Sequence, residues 1–180
     1  MSFDFQPTLH GEGITARPMQ AQDRVALRNA ASDPLIWVGH PATTRHLPEV
    51  FDPYFDLLLG TTRALIVEDA TGRVIGTSSF YSAPDGREAL SVGFTFLTRD
   101  HWGGSTNRIL KGLMFAHIFK QHDAVWLHIG PDNIRSQTAT QRLGAKFVED
   151  AMLDLGTGPH LVKCYRLTRS TWAASEATSS

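Results

Sequence analysis

Between residues 89 and 153 the sequence alternates strand-like and helix-like runs, and this alternation limits the possible folds more than any other feature. Ala89–Leu97 and Ala124–Ile129 are short runs rich in apolar residues, which is typical of buried strands. Between them, apolar residues recur at helical spacing up to about Gln121. Neighbouring strands joined through a helix run parallel, because the crossover returns the chain to the edge where it started. The sequence therefore predicts an α/β chain with a parallel strand pair.

The same apolar patterns predict the other elements. Strands are expected over Ile14–Pro18, Arg63–Glu68, Arg73–Tyr81, Lys146–Leu153 and His160–Leu167, and helices over Met19–Ala31, Glu49–Leu59 and Ile134–Leu143. A turn sequence at 69–72 predicts a hairpin, and Gly60 is expected to end the second helix. No repeat or linker divides the chain, so residues 1–169 are predicted to form one domain and residues 170–180 a flexible tail.

Length and charge exclude several classes of protein. The 180 residues are enough for about one domain. The 17 Lys+Arg and 18 Asp+Glu leave a net charge of −1, which argues against a protein that holds nucleic acid through bulk charge. A single cysteine excludes an internal disulfide. No apolar run reaches the ~20 residues that cross a membrane, and no signal-peptide pattern is present, so a cytoplasmic protein without membrane contact is expected.

Two motif-like patterns receive little weight. Gly11-Glu-Gly13-Ile-Thr-Ala16 has the letters of a dinucleotide-binding motif, but no strand-like run precedes it. The 8 histidines suggest a metal site, yet no two of them are four residues apart and no metalloprotease motif is present. No metal cofactor is therefore predicted.

The segment Arg99–Arg108 is the first candidate binding site. It follows a predicted strand, contains Gly103-Gly104-Ser105-Thr106 and opens the long helix. Unpaired backbone N–H groups at a helix start attract phosphates, and glycine lets the backbone approach a ligand closely. The same letters also fit a tight turn followed by a Ser or Thr helix cap, and the segment alone does not decide between the two.

A second candidate site follows the strand Ala124–Ile129. Asn133 and Ser136 lie one helical turn apart after this strand and precede Leu143-Gly144-Ala145. Ligands of parallel sheets bind at the C-terminal ends of the strands. Both side chains are therefore expected to face the same ligand as the glycine-rich segment.

With both segments in view, the sequence resembles the GNAT acetyltransferase superfamily, and most of all its RimJ/RimL-type branch. Members of that branch transfer acetyl groups from acetyl-CoA to α-amino groups, notably of ribosomal proteins. The resemblance covers nearly the whole chain and is most specific in HWGGSTN together with N-x-x-S-x-x-x-x-x-R-L-G-A. It implies a single domain of the α/β (α+β) class. In such a domain, a mixed and mostly antiparallel sheet is splayed between its central parallel strands and flanked by helices.

The resemblance also assigns roles to residues of this sequence. The cofactor-binding residues that it implies are Phe96, Leu97, Trp102, Gly103, Gly104, Ser105, Thr106, Asn107, Asn133 and Ser136. The segment from Trp102 to Asn107 would take the pyrophosphate of acetyl-CoA, and Asn133 the pantetheine arm. A backbone N–H near Leu97 would polarise the thioester carbonyl, and Ser136 would act as a catalytic residue near the sulfur.

One departure from the family pattern affects the mechanism. Many relatives carry Glu where this chain has Ser91, two residues before Gly93, so the usual general base is missing. Glu88, His128 and Glu68 are alternative bases, with Glu88 as the first choice, and a chain of water molecules is a further alternative. An α-amino group with a pKa near 7.7–8.0 is about one-tenth neutral at pH 7, whereas a lysine near 10.4 is almost fully charged. The missing base therefore favours an α-amine as the acceptor.

The predicted function is acetyl-CoA-dependent N-acetylation of a primary amine by direct attack on the thioester, with a protein or peptide N-terminus as the favoured acceptor. Two alternatives remain open: acetylation of a small-molecule amine (an antibiotic, a polyamine or an amino acid), and a non-catalytic CoA-binding protein. The acceptor groove is expected around Ile36–His46 and Leu155–His160. A monomer or homodimer is expected, with no nucleic acid as a direct partner.

Overall fold

The strands and helices follow the predicted order in the computed structural model of the chain, which describes residues 2–87 and 89–177. The strands of this part of the chain are β1 (Leu9–Gly11), β2 (Ile14–Pro18), β3 (Ala64–Asp69), β4 (Val74–Ser82), β5 (Leu90–Leu97), β6 (Ala124–Ile129), β7 (Lys146–Asp154) and β8 (Pro159–Thr168). The α-helices are α1 (Arg24–Ala30), α2 (Pro48–Thr61), α3 (Thr106–Ile118), α4 (Ile134–Arg142) and α5 (Arg169–Ala177). Short 3₁₀ helices lie at Ala21–Asp23, Pro34–Trp37 and Arg99–His101.

The strands form one mixed sheet in the order β1-β2-β3-β4-β5-β6-β8-β7. β5 and β6 are parallel, with Ser91 opposite Trp126. The pairs β1–β2, β2–β3, β3–β4, β6–β8 and β7–β8 are antiparallel. The parallel pair arises because α3 carries the chain from the end of β5 back to the start of β6. The predicted α/β fold class, with a mostly antiparallel sheet around a central parallel pair, is confirmed.

The chain groups into two compact units. The first contains the chain up to Val38, Ala42–Phe80 and Phe94–Met114, and the second contains Gly39–Pro41, the chain from Tyr81 to Gly93 and the chain from Phe115 onward.

In the first unit, one face of α2 supplies much of the core. Phe51, Tyr54, Phe55 and Leu58 recur at three- and four-residue spacing and are buried, which is the pattern of a helix packed on one side. Burial of each such side chain stabilises the fold by about 1.5–3 kcal/mol. The buried side chains that pack with them include Leu27, Trp37, Ile66 and Phe96.

The end of the chain differs from the expected flexible tail. Arg169–Ala177 form α5, and Trp172 is 7% exposed with its ring 5.4 Å from the ring of Phe115. Burial of this large aromatic side chain offsets the conformational entropy that the chain loses when the helix becomes ordered. Residues 170–177 thus belong to a helix that packs through Trp172, and residues 178–180 lie outside the described part of the chain.

Three smaller differences concern the first half of the chain. β1 was not expected, and it pairs with β2 as a short hairpin. The predicted helix Met19–Ala31 begins later, at Arg24. Gly60 does not end α2, since the helix continues to Thr61 and Thr62 takes the left-handed conformation with φ 54. None of the helices in the described residues is long and apolar enough to span a membrane.

Candidate functional site

The glycine-rich loop between β5 and α3 is open to solvent. Gly103 has φ 73, a left-handed conformation that a side chain strains. A Cβ added at Gly103 or Gly104 would meet no described atom within 4 Å, and Ser105 is exposed as well. The loop therefore presents bare backbone over these two glycines.

The start of α3 leaves a run of backbone donors available. The first helical hydrogen bond joins the N–H of Ile109 to the carbonyl of Ser105, at 2.9 Å. In the part of the chain that the structure describes, the N–H groups of residues 103–107 donate to no protein acceptor. Unpaired N–H groups at a helix start, together with the positive end of the helix dipole, suit an anion.

The loop is anchored at its beginning to the end of β5. The indole Nε1 of Trp102 donates to the carbonyl of Leu97 at 2.9 Å, and the Trp102 N–H donates to the carbonyl of Arg99 at 3.0 Å. The N–H of Thr98 in turn donates to the carbonyl of Ile75 in β4, at 2.8 Å. These bonds bring Leu97 and Trp102 together at the end of β5.

β5 contains a feature that the sequence analysis missed. Phe94 has φ 52, which is rare for a residue with a side chain. The Tyr54 hydroxyl donates to the Phe94 carbonyl at 3.5 Å. Strained residues inside strands concentrate at functional sites, but no sequence signal marks this one, since a glycine would be the residue expected there.

The cations near the loop are mostly held by the protein itself. Arg99 forms an ion pair with Asp33. Lys111 is 6% exposed, and its Nζ donates to Thr95 Oγ1 at 2.6 Å. Burial lowers the pKa of Lys111 to about 7. Lys111 therefore does not face solvent beside the loop.

In the second unit, Asn133 and Ser136 are brought together at the start of α4. Asn133 is the N-cap residue, and its Oδ1 accepts a hydrogen bond from the backbone N–H of Ser136 at 3.2 Å. Ser136 is half-buried, and its hydroxyl forms no hydrogen bond with another described residue. The hydroxyl therefore stabilises the described part of the fold through no hydrogen bond.

The second unit also contains a tyrosine–histidine pair beside Ser91. The Tyr81 hydroxyl lies 2.8 Å from Nδ1 of His128, and the rings of His128 and Trp126 are stacked. Burial and, secondarily, the charge of Arg87 lower the pKa of His128 to about 4. His128 is therefore neutral at pH 7 and a weak proton acceptor.

The other two candidate bases offer no better acceptor. Glu68 lies 2.7 Å from Arg17, which also pairs with Asp23 at 2.8 Å. Its carboxylate is thereby held in an ion-pair network of the first unit. Glu88 lies outside the described residues.

Comparisons with known proteins agree with this geometry. The family model of the acetyltransferase (GNAT) domain matches residues 14–146. A GCN5-related N-acetyltransferase from Brucella melitensis has a similar structure, with a TM-score of 0.80, 16% identity and coverage of 96% of this chain and 83% of that one. For Mycobacterium smegmatis RimJ in complex with CoA-disulfide, the TM-score is 0.66 and the identity 14%, covering 92% of this chain and 88% of that one.

A third solved structure is also similar to this chain. Spermidine N-acetyltransferase from Vibrio cholerae, in complex with CoA and spermine, has a TM-score of 0.65 and 15% identity, covering 91% of this chain and 99% of that one. At these identities the similarity establishes a shared fold. A comparison of the sequence with curated proteins found no match.

Proposed function

Because the chain belongs to the GNAT acetyltransferase family, we propose that it transfers the acetyl group of acetyl-CoA to the N-terminal α-amine of a protein or peptide. Its class as an acyltransferase follows from the family. The observation that carries the choice of donor is the run of unpaired N–H groups at residues 103–107, beside bare glycine backbone.

The glycine-rich loop fits the pyrophosphate of acetyl-CoA. Several N–H groups point away from protein acceptors at the positive end of α3, and the absence of side chains on Gly103 and Gly104 allows phosphate oxygens to come close. Ser105 and Asn107 differ from the smaller residues usual in the family, but both keep their backbone donors. The fit thus depends on the backbone and on the helix rather than on lysines or arginines.

The proposal gives roles to four further residues, which are Phe96 and Leu97 of the first unit and Asn133 and Ser136 of the second. When bound, acetyl-CoA supplies an electrophilic thioester carbonyl. A strand N–H near Leu97 donates to the carbonyl oxygen and stabilises the negative charge that develops there. The neutral amine attacks this carbonyl, the C–N bond forms as the C–S bond breaks, and the proton lost by the amine passes to the departing thiolate. Asn133 holds the pantetheine arm, and the Ser136 hydroxyl donates a hydrogen bond to the departing sulfur. A CoA thiol with a pKa near the cysteine value of about 8.5 leaves readily, so this donor assists the reaction without being indispensable.

The weakness of the candidate bases supports an α-amine as the acceptor. Ser91 supplies no carboxylate, His128 has a pKa of about 4, and Glu68 is held by Arg17. An acceptor that is already neutral in about one molecule in ten at pH 7 needs little help from a base. A lysine or polyamine amine would need a strong base, and the described candidates supply none.

Two measurements test the proposal in sequence. Isothermal titration with acetyl-CoA should show binding, and no binding at millimolar acetyl-CoA would exclude a CoA-dependent enzyme. A CoA-release assay should then show faster turnover with an Ala- or Ser-initiated peptide than with spermidine or an aminoglycoside. Faster turnover with the small amines would indicate that the acceptor is a small-molecule amine. Binding of acetyl-CoA without turnover would indicate a non-catalytic CoA-binding protein.

The loop itself is tested by Gly104→Glu. A carboxylate at this position would lie beside the pyrophosphate, so we expect acetyl-CoA affinity to fall about tenfold or more, since each 1.4 kcal/mol of repulsion is a factor of ten. Gly104→Gln, which adds the same bulk without charge, should lose less. Gly60→Glu places the same charge on α2 in open space and should leave the affinity unchanged. Equal affinities for the two Gly104 variants would show that the pyrophosphate lies elsewhere.

A further inference from the structure

Arg45, in the segment before α2, is a buried cation. It is 8% exposed, and turn hydrogen bonds from Arg45 N–H to Ala42 and from Leu47 N–H to Thr44 fold the segment over the core of the first unit. Its guanidinium carbon lies 3.8 Å from the ring centre of Tyr54 and 5.3 Å from that of Trp37. The ring faces attract the positive charge but supply no hydrogen-bond acceptor.

The guanidinium has no counter-charge among residues 2–87 and 89–177. No carboxylate in this range forms an ion pair with Arg45, and its Nε is buried without a hydrogen-bond partner. The adjacent His46 also has a buried ring nitrogen, Nδ1, without a partner. By contrast, Arg17, which is more exposed, lies between two carboxylates. Buried charges are normally paired, so the missing partner of Arg45 requires an explanation.

The position of Arg45 relates it to β5. The two rings that hold its guanidinium both contact this strand: the Tyr54 hydroxyl donates to the Phe94 carbonyl at 3.5 Å, and the Trp37 ring lies 5.2 Å from the Phe96 ring. Phe94 is the strand residue with φ 52, and Phe96 belongs to the proposed thioester site. The unpaired cation thus lies one side chain away from the strand that is proposed to present the acetyl group.

We propose that Arg45 is the acceptor-specificity residue of this enzyme and binds a carboxylate of the acceptor, close to the amine that is acetylated. This inference rests on the proposed acetyltransferase function. The planar guanidinium pairs with a carboxylate through two parallel hydrogen bonds, and aromatic rings on its face fix its orientation. The acceptor is then a peptide with an acidic residue near its N-terminus, or an amino acid that presents its own carboxylate.

The first test uses the unaltered protein and matched acceptors. Peptides that begin with Ser or Ala and carry Asp at the second, third or fourth position are compared with the same peptides carrying Asn, in the CoA-release assay. We expect at least a tenfold higher kcat/KM for one of the Asp peptides. A comparison of serine with serinamide tests whether the carboxylate belongs to an amino-acid acceptor rather than to a peptide side chain. Serinamide has the less basic amine, so a preference for serine opposes intrinsic reactivity and indicates recognition of the carboxylate.

Variants then assign the preference to Arg45. Arg45→Gln should abolish the preference for Asp, and Arg45→Lys should retain part of it, because the charge remains while the paired donors are lost. Arg63→Gln is the matched control, since Arg63 also lies over a ring (Phe5, at 4.1 Å) but is only half-buried. This control should keep the preference unchanged.

A binding readout makes the test independent of turnover. In the presence of saturating CoA, the Asp peptide should raise the melting temperature of the wild type more than the Asn peptide does, and Arg45→Gln should remove this difference. The inference would be overturned if the Asp and Asn peptides gave equal shifts in melting temperature and equal rates, and serine and serinamide gave equal rates. The acetyltransferase function would remain intact. A loss of acetyl-CoA affinity in Arg45→Gln would overturn the inference too, since the anion would then belong to the donor. No binding of acetyl-CoA by the wild type would instead overturn the proposed function.

Discussion

Ser136 allows a chemical role to be separated from a structural one. Its backbone N–H donates to Oδ1 of Asn133, the residue that caps α4. Its hydroxyl has no hydrogen-bond partner among the described residues. Ser136→Ala should therefore leave the melting temperature almost unchanged and lower kcat about 10- to 100-fold, since the departing sulfur loses its proton donor. Steady-state kinetics with thermal unfolding of the same preparations measures both effects.

The neighbouring residues provide the controls for this prediction. Thr138→Ala, an exposed position of the same helix, should change neither quantity. Asn133→Ala removes the N-cap and should lower stability by about 1 kcal/mol. Unchanged kcat in Ser136→Ala would remove this residue from the mechanism.

At the level of elements, the distance between β4 and β5 depends on a glycine. A Cβ added at Gly76 would lie 2.0 Å from the Phe96 carbonyl oxygen and 3.1 Å from Leu97 Cα. Gly76→Ala must therefore push apart the two strands at the residues proposed to hold the thioester. We expect a loss of about 1–3 kcal/mol in stability and weaker acetyl-CoA binding, measured by urea unfolding and titration.

Gly60 is the matched control for the Gly76 substitution. It lies inside α2 with no described atom within 4 Å of an added Cβ. Gly60→Ala should raise stability by about 0.5–1 kcal/mol, because alanine favours a helix more than glycine does. If Gly76→Ala were as stable as the wild type, the close approach of β4 and β5 at this point would be disproved.

For the molecule as a whole, the buried lysine predicts how folding stability depends on pH. Lys111 has a pKa of about 7 in the folded protein, against the ordinary lysine value of 10.5 in the unfolded chain. Between these values the unfolded state binds the additional proton, so stability should rise with pH across this interval, by at most about 1.4 kcal/mol per pH unit. Below pH 7 both states carry the charge, and the contribution no longer changes.

His128 makes folding stability depend on pH over a second range, on the acid side. Its pKa is about 4 in the fold and 6.5 unfolded, so acidification from 6.5 towards 4 should destabilise the protein. Urea unfolding from pH 5 to 10 measures both intervals. Lys111→Met should be more stable than the wild type at pH 7 and should have a flatter profile above it. Parallel profiles for the two proteins above pH 7 would mean that Lys111 titrates normally in the fold.

Much of the architecture could be predicted because its signals are local. The apolar spacing of α2 and the run Ala124–Ile129 identify their elements from neighbouring residues alone, and β2 and β6 have the predicted bounds. The helix after β5 required the parallel pair, which the structure confirms. The α5 helix was missed because its stability depends on Trp172 packing against Phe115, and the polar residues around it do not reveal that contact.

The candidate site likewise has features that local sequence predicts and features that depend on tertiary packing. The family, the glycine-rich loop and the Asn133–Ser136 pair could be predicted, since they depend on residue types at fixed local spacing. The burial of Lys111, the positive φ of Phe94 and the missing counter-charge of Arg45 could be seen only in the folded chain. Each of these depends on which distant residues surround a side chain, and burial and pairing of charges are properties of that environment.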